Sequence, residues 1–439
     1  MFRLLSLNLK GHHSLGNADL QFAQNEEPLA EPFSTILIGM NGTGKSFIMK
    51  ALGDIFFQVS RYINSEKQVR TSGKFHVRYI LNDNVYDVFS SNFGIVSSGR
   101  STAKVDRSIH ALKGRPEGEP IYPDGKLAFA PYDTYAISLD ELELPNKVIA
   151  SSTQINDRFT FRNDDDSDVY RYRGVKRTPR SISTNAFDLN VAKALLGAFH
   201  LPQFQGLLNV TLVEYLGFKK HLTVTYRTRY SSKFFKGGLS KEKLDDFYLR
   251  YKETTNRKTE PWGTWRYHQL LKEYDDENEL EGHKTLDRII DFVNAAYQDN
   301  RLIKVDNTDS RRIVFDFFSP SIQDLDVAIV RDLERLNLIY LESVKIKKND
   351  SEVSLRDTSA GENQVVMSLL TILSTINENS LVLIDEPEIS LHPNWQMKYI
   401  YMLKKMFKTF SNSHFIIASH SHFLISDLDP QSSSVVSIR

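Results

Sequence analysis

The 439 residues contain no cysteine. That excludes thiol catalysis, disulfide staples and cysteine-rich zinc sites together, and it fits a reducing compartment such as the cytoplasm. Neither sign of charge prevails: lysine plus arginine and aspartate plus glutamate stand at 55 each. No global field draws the chain to nucleic acid or to a lipid surface, so any such binding has to be local. No apolar run reaches bilayer-spanning length, and no membrane contact is expected. The first residues, MFRLLSLNLKGHHS, interrupt their apolar positions with Arg3 and Lys10 and lack a small-residue cleavage site, so they read as a strand of the fold. There is no internal repeat. What remains, at 41% hydrophobic and 25% charged, is an ordinary globular composition with room for two or three domains.

Two stretches carry chemistry. GMNGTGKS sets Gly39, Gly44, Lys45 and Ser46 in the G-x-x-x-x-G-K-[ST] pattern, after the apolar run STILI and before an amphipathic helix. Successive backbone N–H groups at a helix amino end surround a phosphate with partial positive charge, and glycine permits an approach that a Cβ would block. Asn41, Gly42, Thr43 and Phe47 complete the candidate nucleotide loop. Lys45 would reach the β and γ phosphates of a nucleotide, and the Ser46 hydroxyl would ligate Mg²⁺. The second stretch, SLVLIDEPEISLHP, closes an apolar run with Asp385 and Glu386. A run of this kind reads as a buried parallel strand whose carboxyl end opens onto a crevice. Neighbouring strand residues point to opposite sides, so the two acids can hold different jobs: Asp385 supporting the metal, Glu386 activating water. Taken alone, a strand ending in a solvated acidic turn gives the same pattern.

Five stretches in order, GMNGTGKS, VIASSTQINDRF, TSAGENQ, LVLIDEPEISLHP and IIASHSHFL, resemble the ATPase heads of the ABC type, in the branch of RecF, SMC and OLD proteins. The resemblance implies an α/β P-loop fold: a mixed sheet flanked by helices, an antiparallel β subdomain and a helical insertion. It implies that Ser359 and Gly361, in TSAGENQ, bind the γ phosphate held by a second copy, which makes the unit an ATP-sandwich homodimer or a higher homo-oligomer. An ordinary capping box between Ser359 and Glu362 accounts for the same residues. His420 takes the position of the family's switch histidine, while His392 and His422 read as structural. Gln154 stands where relatives carry a metal-sensing glutamine, with Asn156 and Asp157 as rivals, and Lys10 and His12 stand where relatives contact the nucleotide.

The expected domains are an amino-terminal ATPase lobe over 1–160, a mainly helical insert over 161–305 and a carboxyl-terminal lobe over 306–439. More than three hundred residues separate Lys45 from Ser359, unlike a transporter subunit, and the gap holds Trp262 and Pro261 with no sustained heptads, unlike an SMC arm. The sequence runs only about twenty residues past His420, without the nuclease domain of OLD proteins. These features suit a stand-alone head that controls a separate effector protein, linked to nucleic acid or to anti-phage defence. A nucleotide-dependent scaffold that sequesters a toxic partner is the alternative. Basic residues alternate with aromatics at Tyr170, Arg171, Tyr172, Arg173, Lys176 and Arg177, and again at Tyr226, Arg227, Arg229, Tyr230 and Lys233, a composition suited to DNA or RNA and equally to a solvated face.

Overall fold

A computed structural model describes residues 1–23, 29–65, 73–90, 109–114, 135–154, 156–162, 169–178, 181–182, 186–201, 204–228, 238–254, 262–275, 280–298, 312–319, 327–426 and 428–438. The chain divides into two units: Met1–Phe187 together with Ser359–Arg439, and Asp188–Thr358.

The first unit holds two six-stranded sheets. One is antiparallel: β1 (Phe2–His12) lies between β2 (Gly16–Gln21) and β4 (Lys74–Leu81), followed by β5 (Asn84–Ser90), β6 (Ile109–Gly114) and β7 (Tyr135–Ile137). The β4–β5 hairpin turns through Asn82 and Asp83, both at positive φ, the pair of conformations a two-residue hairpin needs. The other sheet is parallel throughout, in the order β18 (Ser433–Ser437), β3 (Phe33–Ile38), β17 (His414–Ser419), β16 (Leu381–Asp385), β8 (Val148–Ser152), β9 (Tyr170–Gly174). Its central strands are buried on both faces, which is why LVLID and HFIIAS read as unbroken apolar runs. Helix α1 (Lys45–Ser65) packs on β8, β16 and β17, and its Leu52, Ile55 and Phe56 share one core with Phe2, Leu4 and Leu7 of the antiparallel sheet. A short ribbon pairs β10 (Lys176–Thr178) with β11 (Ser181–Ile182).

The second unit contains α2 (Ala186–Ala198, with its first two residues in the first unit), α3 (Phe204–Leu208) continued by a π-helical stretch Asn209–Tyr215, α4 (Lys241–Thr254), α5 (Trp262–Asp275), α6 (Leu280–Gln298) and α7 (Val327–Arg335). Its sheet is antiparallel in the order β13 (Arg312–Asp316), β12 (Leu222–Thr228), β14 (Ile339–Lys348), β15 (Ser351–Ser354). The expected insert therefore needs two corrections. Alongside its helices it holds a four-stranded antiparallel sheet, in which LTVTYRT is an inner strand. It also extends to Thr358, because β12 pairs with β13 and β14 and so binds 312–354 into the insert instead of the carboxyl-terminal lobe.

The first basic-aromatic cluster is corrected too. Tyr170, Arg171 and Tyr172 form the buried edge strand β9 of the ATPase sheet. Tyr172 donates to Asp157 Oδ2 at 2.7 Å, and Lys176 to its Oδ1 at 2.9 Å. A nucleic acid cannot stack on rings already inside the core. In the second cluster Tyr226 is fully buried and Arg227 faces Glu342 at 3.6 Å. Arg229, Tyr230, Lys233 and the Arg177 side chain lie outside the described residues.

Candidate functional site: a phosphate loop beside an acidic strand end

The site lies at the carboxyl edge of the parallel sheet, in the first unit. The chain leaves β3 at Gly39 and enters α1 at Lys45. Gly42 and Gly44 sit at φ +85° and +96°, conformations that side-chain-bearing residues rarely adopt, and a Cβ on Gly44 would come within 2.6 Å of Leu15 Cδ2. At Gly39 it would come within 2.6 Å of Ile438 O. The loop is therefore drawn tight, with Asn41 and Gly42 exposed and Thr43 half-buried, its hydroxyl donating to Met40 O at 2.9 Å. Lys45 is buried and its ammonium donates to the carbonyls of Gly39 (2.7 Å) and Met40 (2.9 Å), so the cation lies under the loop. Phe47, one turn into the helix, stacks beneath the Arg158 guanidinium at 5.2 Å.

Across 339 positions of sequence, the Ser46 hydroxyl donates to Asp385 Oδ1 at 3.0 Å. Asp385 is 3% exposed, and burial, reinforced by Glu386, Asp157 and Glu388, pushes its carboxyl up to about 7 against the pull of the Ser46 hydroxyl. A buried carboxyl that resists ionisation, beside a hydroxyl oxygen, is a donor set suited to a hard divalent cation, which would supply the missing positive charge. Among the described residues no group of three or more His, Asp or Glu forms a cation cage. A Mg²⁺ here would depend on Ser46, Asp385 and substrate phosphates together, the usual arrangement for that ion.

Glu386 sits in the left-handed region at φ 48°. Its N–H is bonded to Ala418 O at 2.9 Å and its Oε2 accepts from Gln154 Nε2 at 2.7 Å. Gln154 thus meets Glu386, not the Ser46–Asp385 pair. His420 Nδ1 lies 3.7 Å from Glu386 Oε1, beyond hydrogen-bond distance, and 3.2 Å from Glu388 Oε1.

Ser359 caps helix α8 (Ala360–Leu373), accepting from Glu362 N at 3.3 Å while Glu362 Oε2 accepts from Ser359 N at 2.8 Å. The capping box is real, and it uses the Ser359 oxygen only as an acceptor, which leaves the hydroxyl proton for another partner. A Cβ on Gly361 would lie 2.5 Å from Ser390 O, so only glycine lets this turn rest on the 386–391 turn. Gln364 Nε2 donates to Pro387 O at 2.8 Å and ties the two together. His392 caps α9 (Pro393–Met406), accepting from Asn394 N at 3.3 Å. His12 is buried and its Nδ1 accepts from Leu15 N at 3.2 Å, holding the β1–β2 turn, while Lys10 is exposed.

Three contributors escaped the sequence reading: Glu388, Gln364 and Gln396. The one signal for Glu388 was a third acid within four residues, DEPE. Nothing in local pattern marks either glutamine.

Fold and site together have the arrangement of a P-loop nucleotide-binding fold, with the phosphate loop after β3 and the acidic end of β16 at one edge of the parallel sheet. Residues 225–425 match the AAA ATPase domain family, a span that takes in the Ser359 turn, Asp385, Glu386 and His420. The chain is similar to the Retron Vc95 probable ATPase of Vibrio cholerae serotype O1 biovar El Tor, 30% identical over 129 residues, which is 26% of this chain and 24% of that protein. It is also similar to the Retron Ec83 probable ATPase of Escherichia coli, 34% identical over 97 residues, 20% of this chain and 17% of that one. The matches thus span about a quarter or less of these relatives. The Smc head domain of Pyrococcus furiosus, solved with an extended coiled coil and bound to the C-terminal domain of ScpA, aligns over 100% of this chain and 94% of its own at 13% identity, with a TM-score of 0.32. No helix among the described residues is long and apolar enough to cross a membrane.

Proposed function

We propose that the chain binds ATP with Mg²⁺ between two copies of itself, hydrolyses it, and uses the resulting closure to control a separate effector protein. The observation that carries this reading is the 3.0 Å contact between Ser46 and Asp385, which joins the phosphate loop to the acidic strand end. Residues Gly39 to Ser46 and Phe47 hold the triphosphate through backbone N–H groups and the Lys45 ammonium. Ser46 and Asp385 hold Mg²⁺, which when bound neutralises charge on the phosphates. Glu386, oriented by Gln154, accepts the proton of the attacking water, and His420 contacts the γ phosphate and that water. Ser359 and Gly361 complete the site of the neighbouring copy, the Ser359 hydroxyl donating to phosphate.

The names of the two relatives, each a retron's probable ATPase, support the ATPase reading. Lys45→Ala tests the base of the proposal. Single-turnover hydrolysis and nucleotide titration should both collapse in that variant while the melting temperature holds. Nucleotide affinity unchanged by the substitution rules out the loop as the binding site, and tight binding without any turnover moves the assignment to a nucleotide-dependent scaffold.

A further inference from the structure

Glu388 is a buried acid that the reaction outlined above does not use. Its side chain is 2% exposed, and one oxygen carries the whole of its bonding. Oε1 accepts from Ser419 Oγ at 2.6 Å and from the His420 backbone N–H at 2.9 Å, and lies 3.2 Å from His420 Nδ1. Oε2 is buried with no hydrogen-bond partner among the described residues. Burying a carboxylate with half its bonding capacity unmet is costly, and a merely structural site would be served as well by an apolar residue of that size. What the arrangement does provide is a fixed imidazole. A carboxylate oxygen 3.2 Å from Nδ1 is a charge contact that favours the proton on that nitrogen and leaves Nε2 for other chemistry.

The loop is tied on the far side of His420 as well. Ser421 Oγ donates to Gln396 Oε1 at 2.6 Å, and Gln396 Nε2 donates back to Leu391 O at 3.0 Å and Glu388 O at 3.3 Å. Both neighbours of His420 are thereby held by the segment 388–396, which also carries the Ser390 turn against Gly361.

We propose that Glu388 is a positioning residue for ATP hydrolysis, holding the His420 imidazole in the tautomer and orientation in which it meets the γ phosphate. This deepens the reading of the site as an ATPase and depends on it. The test compares single-turnover hydrolysis and ATP affinity of the full chain across Glu388→Ala, His420→Ala, the double variant and Glu388→Gln. Loss of positioning should slow the step about 10- to 100-fold in Glu388→Ala, with ATP affinity within about twofold of the parent. The double variant should be no slower than His420→Ala, because a residue that acts through the histidine has nothing left to act on. Glu388→Gln, whose amide oxygen can take the Ser419 and His420 donors, should recover most of the rate. Equal slowing by Glu388→Ala in the presence and absence of His420, or failure of Glu388→Gln to improve on Glu388→Ala, overturns the proposal. Should Glu388→Ala not fold by thermal melt, Glu388→Asp withdraws the carboxylate by one methylene and carries the same comparison, with additivity again the overturning result. A parent protein with no turnover above Glu386→Gln sinks the ATPase reading itself, whereas active parent and additive variants sink only the role of Glu388.

Discussion

The strand β17 begins at one histidine and is followed directly by another, and the two differ in almost everything but residue type. His414, at the amino edge of the sheet, is fully buried: Leu4 N donates to its Nδ1 at 3.0 Å, and its Nε2 meets Thr35 Oγ1 at 2.8 Å. His420, just past the carboxyl edge, keeps 42% of its side chain exposed and turns Nδ1 to an acid. His414 Nδ1 accepts and so carries its proton on Nε2, whereas the acid beside His420 Nδ1 favours the proton on that nitrogen. The surroundings follow the same division. Ser380 and Ser413 at the amino edge satisfy one another and Asn377. The carboxyl edge accumulates Asp385, Glu386 and Glu388, with backbone strain at Glu386 (φ 48°) and Ser390 (φ 65°). Strained backbone and crowded like charges persist where the fold over-determines them, and they gather where chemistry needs them. Polar groups at the amino edge hold the sheet together, whereas those at the carboxyl edge are held in place by it.

The largest effect that divides the two edges belongs to Glu386. Glu386→Gln removes the carboxylate proposed to take the proton of water and keeps the shape and the Gln154 contact, so turnover should fall about a hundred- to ten-thousandfold with ATP affinity and melting temperature preserved. Trapping of an ATP-bound dimer, seen by sedimentation with and without nucleotide, is the companion result. Parental turnover in the variant removes Glu386 from the reaction.

How much of this was legible in the sequence depends on how local the signal is. The phosphate loop and the LVLIDEPE strand are written in contiguous residues, glycines at fixed offsets and an apolar run with a break, so their elements stand where the sequence puts them. The pairing of β12 with β13 and β14 joins residues about a hundred positions apart, and no local pattern distinguishes the central strand of a sheet from the arm of a hairpin. The alternation in YRYRG misled for a different reason. Charge normally marks a solvated face, but Arg171 is buried here and the half-buried Arg173 donates to Thr375 Oγ1 at 2.7 Å and to Tyr172 O at 3.0 Å. Glu388 was hidden because its meaning lies in residues more than thirty positions away.

The second effect sharpens the other side. His414→Ala leaves the Leu4 amide and the Thr35 hydroxyl without the ring, which should cost about 2–3 kcal/mol by denaturant unfolding and leave kcat of the folded protein unchanged. It also has a pH signature. Burial first, and then Arg3, hold the His414 pKa well below its ordinary 6.5. As pH falls through 6.5 the unfolded chain takes up a proton that the folded chain refuses, so the native state loses stability toward acid. The stability gap between parent and variant should therefore narrow below about pH 6.5. A gap that stays constant with pH means His414 is not held neutral.

The smallest effect tests strain at the carboxyl edge. Ser390 is exposed and adopts φ 65°, where a Cβ crowds its own backbone, and the turn is held there because its carbonyl abuts Gly361. Ser390→Gly removes that crowding and admits more freedom to the unfolded chain, two opposing terms that should leave a net gain of about 1 kcal/mol. If the turn's conformation serves the seam between copies, the variant should at the same time weaken ATP-dependent dimerisation, because glycine no longer confines the turn when the partner is absent. A variant more stable and equally able to dimerise confines the strain to the fold. A variant no more stable than the parent means the left-handed turn costs nothing there, and the contrast between the edges then rests on charge alone.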